Sequence, residues 1–139
     1  MVVDKIKKEV IGDPFDSETT IGPMVSIDAR NELIRQVEAS INAGARLLYK
    51  SLIPSVKNSA YHPVILLTDV LPGMPAFDEE LFGPVASIIS AKDKASALTL
   101  ANQTSFGLGA AVFTSDIEEG RRIAESELEA GAAFVNDFV

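Results

Sequence analysis

Residues 79–84 read EELFGP, and with Asp78 they set three acids in a row ahead of Phe82 and the apolar run VASIISA. A carboxylate placed before a parallel strand can accept hydrogen bonds from paired hydroxyls, such as the diol of a ribose. An aromatic ring two residues later offers an apolar face to a flat heterocycle. A solvated strand edge accounts for the same acids, and the spacing alone leaves both readings open.

Other residues with chemical potential read more simply. Gly107-Leu108-Gly109 begins like a dinucleotide loop, but Val112 stands where the third glycine belongs, and the glycines open a strand instead of joining a strand to a helix. Close backbone packing in a buried strand is the expectation there. His62 enters a strand with no acid or hydroxyl partner near it in sequence, which suggests a surface or strand-end histidine. The acids between Glu118 and Glu129 read as a solvated helix face and lack calcium-loop spacing. There is no cysteine, which excludes disulfides, thiolate metal sites and a cysteine nucleophile within these residues. One histidine excludes a histidine-rich metal centre. No catalytic residue and no metal site is therefore read from the chain.

The elements that position these residues follow from periodicity. A chain of 139 residues with 47 % hydrophobic content fits a single domain over 1–139. A short helix is expected over 2–11, stopped by Gly12-Asp13-Pro14, then a turn-rich loop through DPFDSETTIGP. Leu33, Ile34, Val37 and Ile41 mark a helix over 26–43, with Ser26 as N-cap and Gly44 just past its end. Residues 45–49 and 64–70 read as strands, and 50–60 as a loop. From Val85 the pattern is strand (85–91), helix from Asp93 to Asn102 with Ala97, Leu98 and Ala101 inward, and strand (107–114) buried on both faces. A helix capped by Asp116, with Ile117, Ile123, Ala124 and Leu128 inward, and a strand (132–136) complete it. That alternation implies an α/β fold: three layers, a mostly parallel sheet with helices on both faces. The beginning and the end, after a strand, both read as cut.

The net charge of −8 and pI near 4.6 argue against nucleic acid and anionic membranes as partners. No segment approaches a membrane span, and the start MVVDKIKKEVIGDPF is not a signal peptide. Cysteine-free composition fits a reducing compartment, so a cytoplasmic location is expected.

EELFGPV (79–85) followed by NQTSFGLGAAVFTSD (102–116) resembles the aldehyde dehydrogenase superfamily in its catalytic domain. GDPFDSETTIGPM (12–24), GARLLY (44–49), YHPVILLTDV (61–70) and AGAAFVN (130–136) fall in the family's order. Within it, GPM, EELFGPV and AGAAFVNDFV look most like bacterial succinate-semialdehyde dehydrogenases. The resemblance implies a parent enzyme that oxidises an aldehyde with NAD or NADP, through a cysteine thiolate and a glutamate base. It implies that Glu80 accepts hydrogen bonds from the nicotinamide ribose, with Phe82 beside that ribose and the nicotinamide. Glu79 would be its solvated neighbour, and Gly83-Pro84 the turn aiming both side chains. Asn136 matches an asparagine near the family's active site and is given a structural role. The family's cysteine, its base and its Gly-rich cofactor loop lie upstream of the matching segment. This chain alone is thus expected to be an incomplete catalytic domain, inactive, with no tightly bound cofactor. The parent is expected to be a homo-oligomer acting on an aldehyde such as succinate semialdehyde. The alternative is a non-catalytic binding or assembly module of the same descent.

Overall fold

The computed structural model describes residues 2–57 and 59–138. The chain divides into two compact units, Met1–Ser90 and Ala91–Val139.

The first unit contains α1 (Val2–Ile6), α2 (Ile27–Asn42), β1 (Arg46–Lys50), β2 (Ile65–Thr68), α3 (Pro75–Asp78) and β3 (Val85–Ser87). α1 is shorter than the expected helix. Val10 leaves the helical path because its carbonyl accepts from Thr20 N and Ile21 N, and Ile11 then bridges to Ile21. α2 follows the sequence closely. Ser26 is extended, and its Oγ accepts from Ala29 N at 3.0 Å. Gly44 takes a φ of 116°, a left-handed value that glycine adopts at low cost just past a helix end.

The sheet runs in the order β1-β2-β3, with β1 antiparallel and β3 parallel to β2. All four β2 residues are buried, as a central strand covered on both faces requires. Ile65 and Leu67 join Val37, Ala45, Val70, Met74 and Ala76 in the core, against which Ile41, Phe77, Leu81 and Val85 pack. β1 has a register shift between Leu47 and Tyr49, and both Leu47 and Leu48 are exposed.

The buried face of α2 carries two polar residues among its apolar ones, Gln36 and Ser40. Ser40 is 0 % exposed. Its Oγ donates to Gln36 O and accepts from Ala76 N, both at 2.8 Å. The start of α3 is thereby tied to the last turn of α2.

The second unit contains α4 (Lys94–Ala101), β4 (Ala110–Val112), α5 (Ile117–Ser126) and β5 (Ala133–Val135). Asp93 and Asp116 cap the helices as expected, accepting from Ser96 N at 2.8 Å and Glu119 N at 3.0 Å. β4 and β5 are parallel. Gly120 allows close approach here: a Cβ would lie 2.8 Å from Thr114 Cγ2 and 2.9 Å from Val135 Cγ1.

Several expectations change. The run 85–91 is a strand only to Ser87, where its pairing with β2 ends. β3 also joins β1 and β2, and not the β4–β5 pair. The run 107–114 is not buried on both faces: Leu108 is 91 % exposed and Phe113 is exposed, because β4 pairs only with β5 among the described residues. On α4, Leu98 and Leu100 are half-buried while Ala97 and Ala101 are exposed. On α5, Ile123 is buried, Ala124 is half-buried and Ile117 is exposed; Leu128, expected on the same helix, lies past its end and is half-buried. The α/β class holds, with two of the three strand pairings parallel.

Ser40→Ala removes the acceptor of a buried N–H with no water to replace it. It should cost about 1–3 kcal/mol of unfolding free energy. Urea titration with an unchanged midpoint would show that Ala76 N finds another partner.

Candidate functional site

The residues singled out by sequence lie between the end of α3 and the start of β3. The three consecutive acids do three different things. Asp78 turns back, its Oδ2 accepting from Gly73 N at 2.9 Å. Glu79 meets α2: its Oε2 accepts from Gln36 Nε2 at 2.9 Å and from Arg35 Nη2 at 2.8 Å. The Glu80 carboxylate is exposed and makes no hydrogen bond or ion pair among the described residues; only its backbone carbonyl is engaged, by Gln36 Nε2 at 3.2 Å. Glu79 is therefore not the merely solvated neighbour expected from sequence.

Phe82 is 77 % exposed. Its ring borders a cleft of about 460 Å³ lined by Ile21–Val25, Ala29 and Gly83-Pro84. Glu80 stands outside that lining, two residues from Phe82. The 21–25 wall is held by Met24 N donating to Ala60 O at 3.0 Å. Gly83 is required by close approach: a Cβ there would lie 2.5 Å from Leu33 Cδ2 and 3.2 Å from Met24 Cε. The Gly83 N–H donates to Leu81 O, and Val85 N to Gly83 O, giving the tight turn expected at Gly-Pro.

Arg35 also forks onto Glu32, at 2.6 Å. The guanidinium between two carboxylates is held more firmly protonated than usual, and hydrogen bonding to Arg35 lowers the Glu32 carboxyl. Sequence reasoning missed Arg35 and Gln36. A polar residue inside an apolar stripe, Gln36 between Leu33 and Val37, was the available signal.

His62 lies elsewhere and is not a surface residue: it is 2 % exposed. Its Nδ1 is 2.7 Å from Pro63 O, so Nδ1 carries the proton, and the buried Nε2 has no partner among the described residues. It lines a second cleft, about 540 Å³, with Ile34, Val37, Leu47 and Ile65, which shares no residue with the cleft at Phe82. This cleft is the larger of the two, and its lining includes the exposed acid Glu38 and the half-buried ring of Tyr61. Asn136, in the second unit, holds Thr114: its Oδ1 accepts from Thr114 N and its Nδ2 donates to Thr114 O, both at 2.8 Å. This is the structural part expected of it. No group of three or more metal-ligating side chains occurs among the described residues, and no described helix is long and apolar enough to cross a membrane.

The profile of the aldehyde dehydrogenase family matches residues 1–139. The chain belongs to that family. The chain is 45 % identical over 128 residues to the NAD(P)+ succinate semialdehyde dehydrogenase Sad of Escherichia coli strain K12, covering 92 % of itself and 27 % of that protein. It is 38 % identical to a betaine aldehyde dehydrogenase of Sinorhizobium fredii, covering 93 % of itself and 27 % of that protein. The crystal structure of a betaine aldehyde dehydrogenase from Staphylococcus aureus in complex with NAD+ superposes with a TM-score of 0.90 at 30 % identity, over 99 % of this chain and 28 % of that one. The α/β fold is thus of aldehyde dehydrogenase type, and the chain spans less than a third of the length of these relatives.

Burial pushes the His62 pKa below its ordinary value; nearby Lys50 and Arg30 act in the same sense, while the Pro63 carbonyl opposes them. Above about pH 6.5 both folded and unfolded forms are neutral, and stability is complete. As pH falls through that value the unfolded chain binds a proton that the folded chain refuses, so stability drops. Urea midpoints should fall between about pH 7 and 5, with a shallower fall in His62→Leu. Equal slopes in the two proteins would remove His62 as the cause.

Proposed function

We propose that this chain supplies the nicotinamide-ribose face of an NAD(P)-dependent aldehyde dehydrogenase, with Glu80 accepting hydrogen bonds from the ribose diol and Phe82 flanking the ribose and nicotinamide. The observation that carries the proposal is the pairing of an exposed, unengaged carboxylate with an exposed ring two residues away, beside a cleft. A diol needs free acceptor lone pairs: both Glu80 carboxylate oxygens keep theirs, whereas in Glu79 the Oε2 is already shared by Arg35 and Gln36 and the carboxylate is held against α2. When bound, the nicotinamide supplies the hydride acceptor for aldehyde oxidation. Glu80 and Phe82 contribute orientation, holding one end of the cofactor without taking part in bond making. The chain has no cysteine, so the thiolate that attacks the aldehyde comes from polypeptide outside these residues. As a single part of a catalytic domain, residues 1–139 are inactive alone. Succinate semialdehyde is the preferred substrate of the parent, by similarity to Sad and to the NADP+ succinate-semialdehyde dehydrogenase of Deinococcus radiodurans. The parent is a cytoplasmic homo-oligomer within this proposal.

In an active enzyme carrying this sequence, Glu80→Gln should raise KM for the cofactor roughly tenfold, the scale of a weakened charge-assisted hydrogen bond. The purified 139-residue chain should generate no reduced cofactor with succinate semialdehyde. Turnover by that chain, or an unchanged KM in the variant, would sink the corresponding half of the proposal.

A second reading is favoured by the large apolar side chains left in solvent, among them Phe15, Leu52 and Leu108. Such side chains suit an assembly module that buries them against a partner. Light scattering should then report self-association at micromolar concentration, whereas a strict monomer with no partner recovered from cells speaks for the first reading alone.

A further inference from the structure

The identical neighbours Glu79 and Glu80 are treated in opposite ways, and two α2 side chains make the difference. Glu79 has an extended backbone, φ −111° and ψ 154°. Successive side chains on extended backbone leave on opposite sides. The observed order agrees: Glu79 is bound to α2, Glu80 is exposed, Leu81 packs on the core, and Phe82 is exposed. Two of these four positions are therefore fixed inward, and their neighbours have one direction left.

The inward grip at Glu79 is unusually well built for a surface acid. Gln36 is 7 % exposed, and its Nε2 serves both the Glu79 carboxylate and the Glu80 carbonyl. Its backbone carbonyl is in turn held by the fully buried Ser40 hydroxyl. Arg35 adds a second donor to the same Glu79 oxygen. An exposed ion pair alone would fix little. A buried amide that spans two successive residues fixes a direction, because moving either residue leaves its N–H groups unpaired away from water.

We propose that Arg35 and Gln36 are positioning residues for the cofactor face: by holding Glu79 and the Glu80 carbonyl against α2, they turn the Glu80 carboxylate and the Phe82 ring to the same open side. The inference rests on the assignment of Glu80 and Phe82 to the nicotinamide ribose made above. Neither Arg35 nor Gln36 touches the cofactor in this scheme. They set where its contacts stand before it arrives, which lowers the ordering cost of binding.

The test is calorimetric titration of NAD+ and of AMP into the natural polypeptide at the length its reading frame gives. AMP lacks the nicotinamide ribose and reports only on the adenine end. Glu79→Ala and Gln36→Leu should weaken NAD+ roughly three- to tenfold, the size of one lost hydrogen bond, and leave AMP unchanged. Glu79→Gln keeps an acceptor oxygen for both donors and should stay within about twofold of wild type. Gln36→Leu alters a buried position, and Glu79→Ala, on the surface, gives the answer should that variant not fold. If Glu80→Gln weakens NAD+ while Glu79→Ala does not, the positioning role is overturned and the ribose assignment stands. If Glu80→Gln changes nothing, the assignment falls and the positioning role with it. Equal weakening of NAD+ and AMP by Glu79→Ala would reduce the contact to general support, and a wild-type protein that takes up no NAD+ would overturn both.

Discussion

The Ser40 hydroxyl occupies a place that no water reaches, between the backbone of its own helix and the first residues of α3. Its hydrogen and one lone pair are both committed, so the spacing between α2 and α3 is set by two short bonds and not by side-chain packing that could slide. The segment after α3 inherits that spacing. Gln36, one helical turn before Ser40, falls opposite Glu79 and Glu80, and Leu33, a further three residues back, lies under Gly83. One face of one helix thus measures out the whole stretch from Ala76 to Gly83. The apolar members of that face supply burial, and the polar members supply register, a division in which directional bonds choose among packings that hydrophobic contact alone would accept.

Much of this was legible in the sequence where the determining contacts are local. Ser26, Asp93 and Asp116 cap their helices within three residues, and Gly44 ends α2 within the same short range. The apolar stripe of α2 was readable for the same reason. The reading failed where burial depends on distant parts of the chain. GLGAAVFT has the composition of a doubly covered strand, but coverage is a property of neighbours, and β4 has one partner strand among the described residues. His62 read as a surface or strand-end residue; it does stand just ahead of β2, but it is buried, held by a bond to the next carbonyl.

At the candidate site the motif was legible and its mechanics were not. EELFGP could be matched as a string, and Glu80 and Phe82 picked from it. Nothing in the string distinguishes Glu79 from Glu80, because the donors that separate them are 43 and 44 residues away on α2. The glycine of the motif is similar: its necessity lies in Leu33 and Met24, not in the turn it makes.

The irregularity in β1 bears on solubility. β1 is an outer strand of its sheet, with one row of backbone groups lacking a strand partner among the described residues. A flat strand there, with Leu47 and Leu48 exposed, would template pairing with other chains. The register shift between Leu47 and Tyr49 breaks the regular ladder of the edge; Lys50 puts a positive charge at one end, and Arg46 at the other is ion-paired with Asp69. An incoming strand meets a shifted ladder flanked by charged side chains in place of a straight one, so the shift that looks like an imperfection in the pairing also works against edge-to-edge association of the unit.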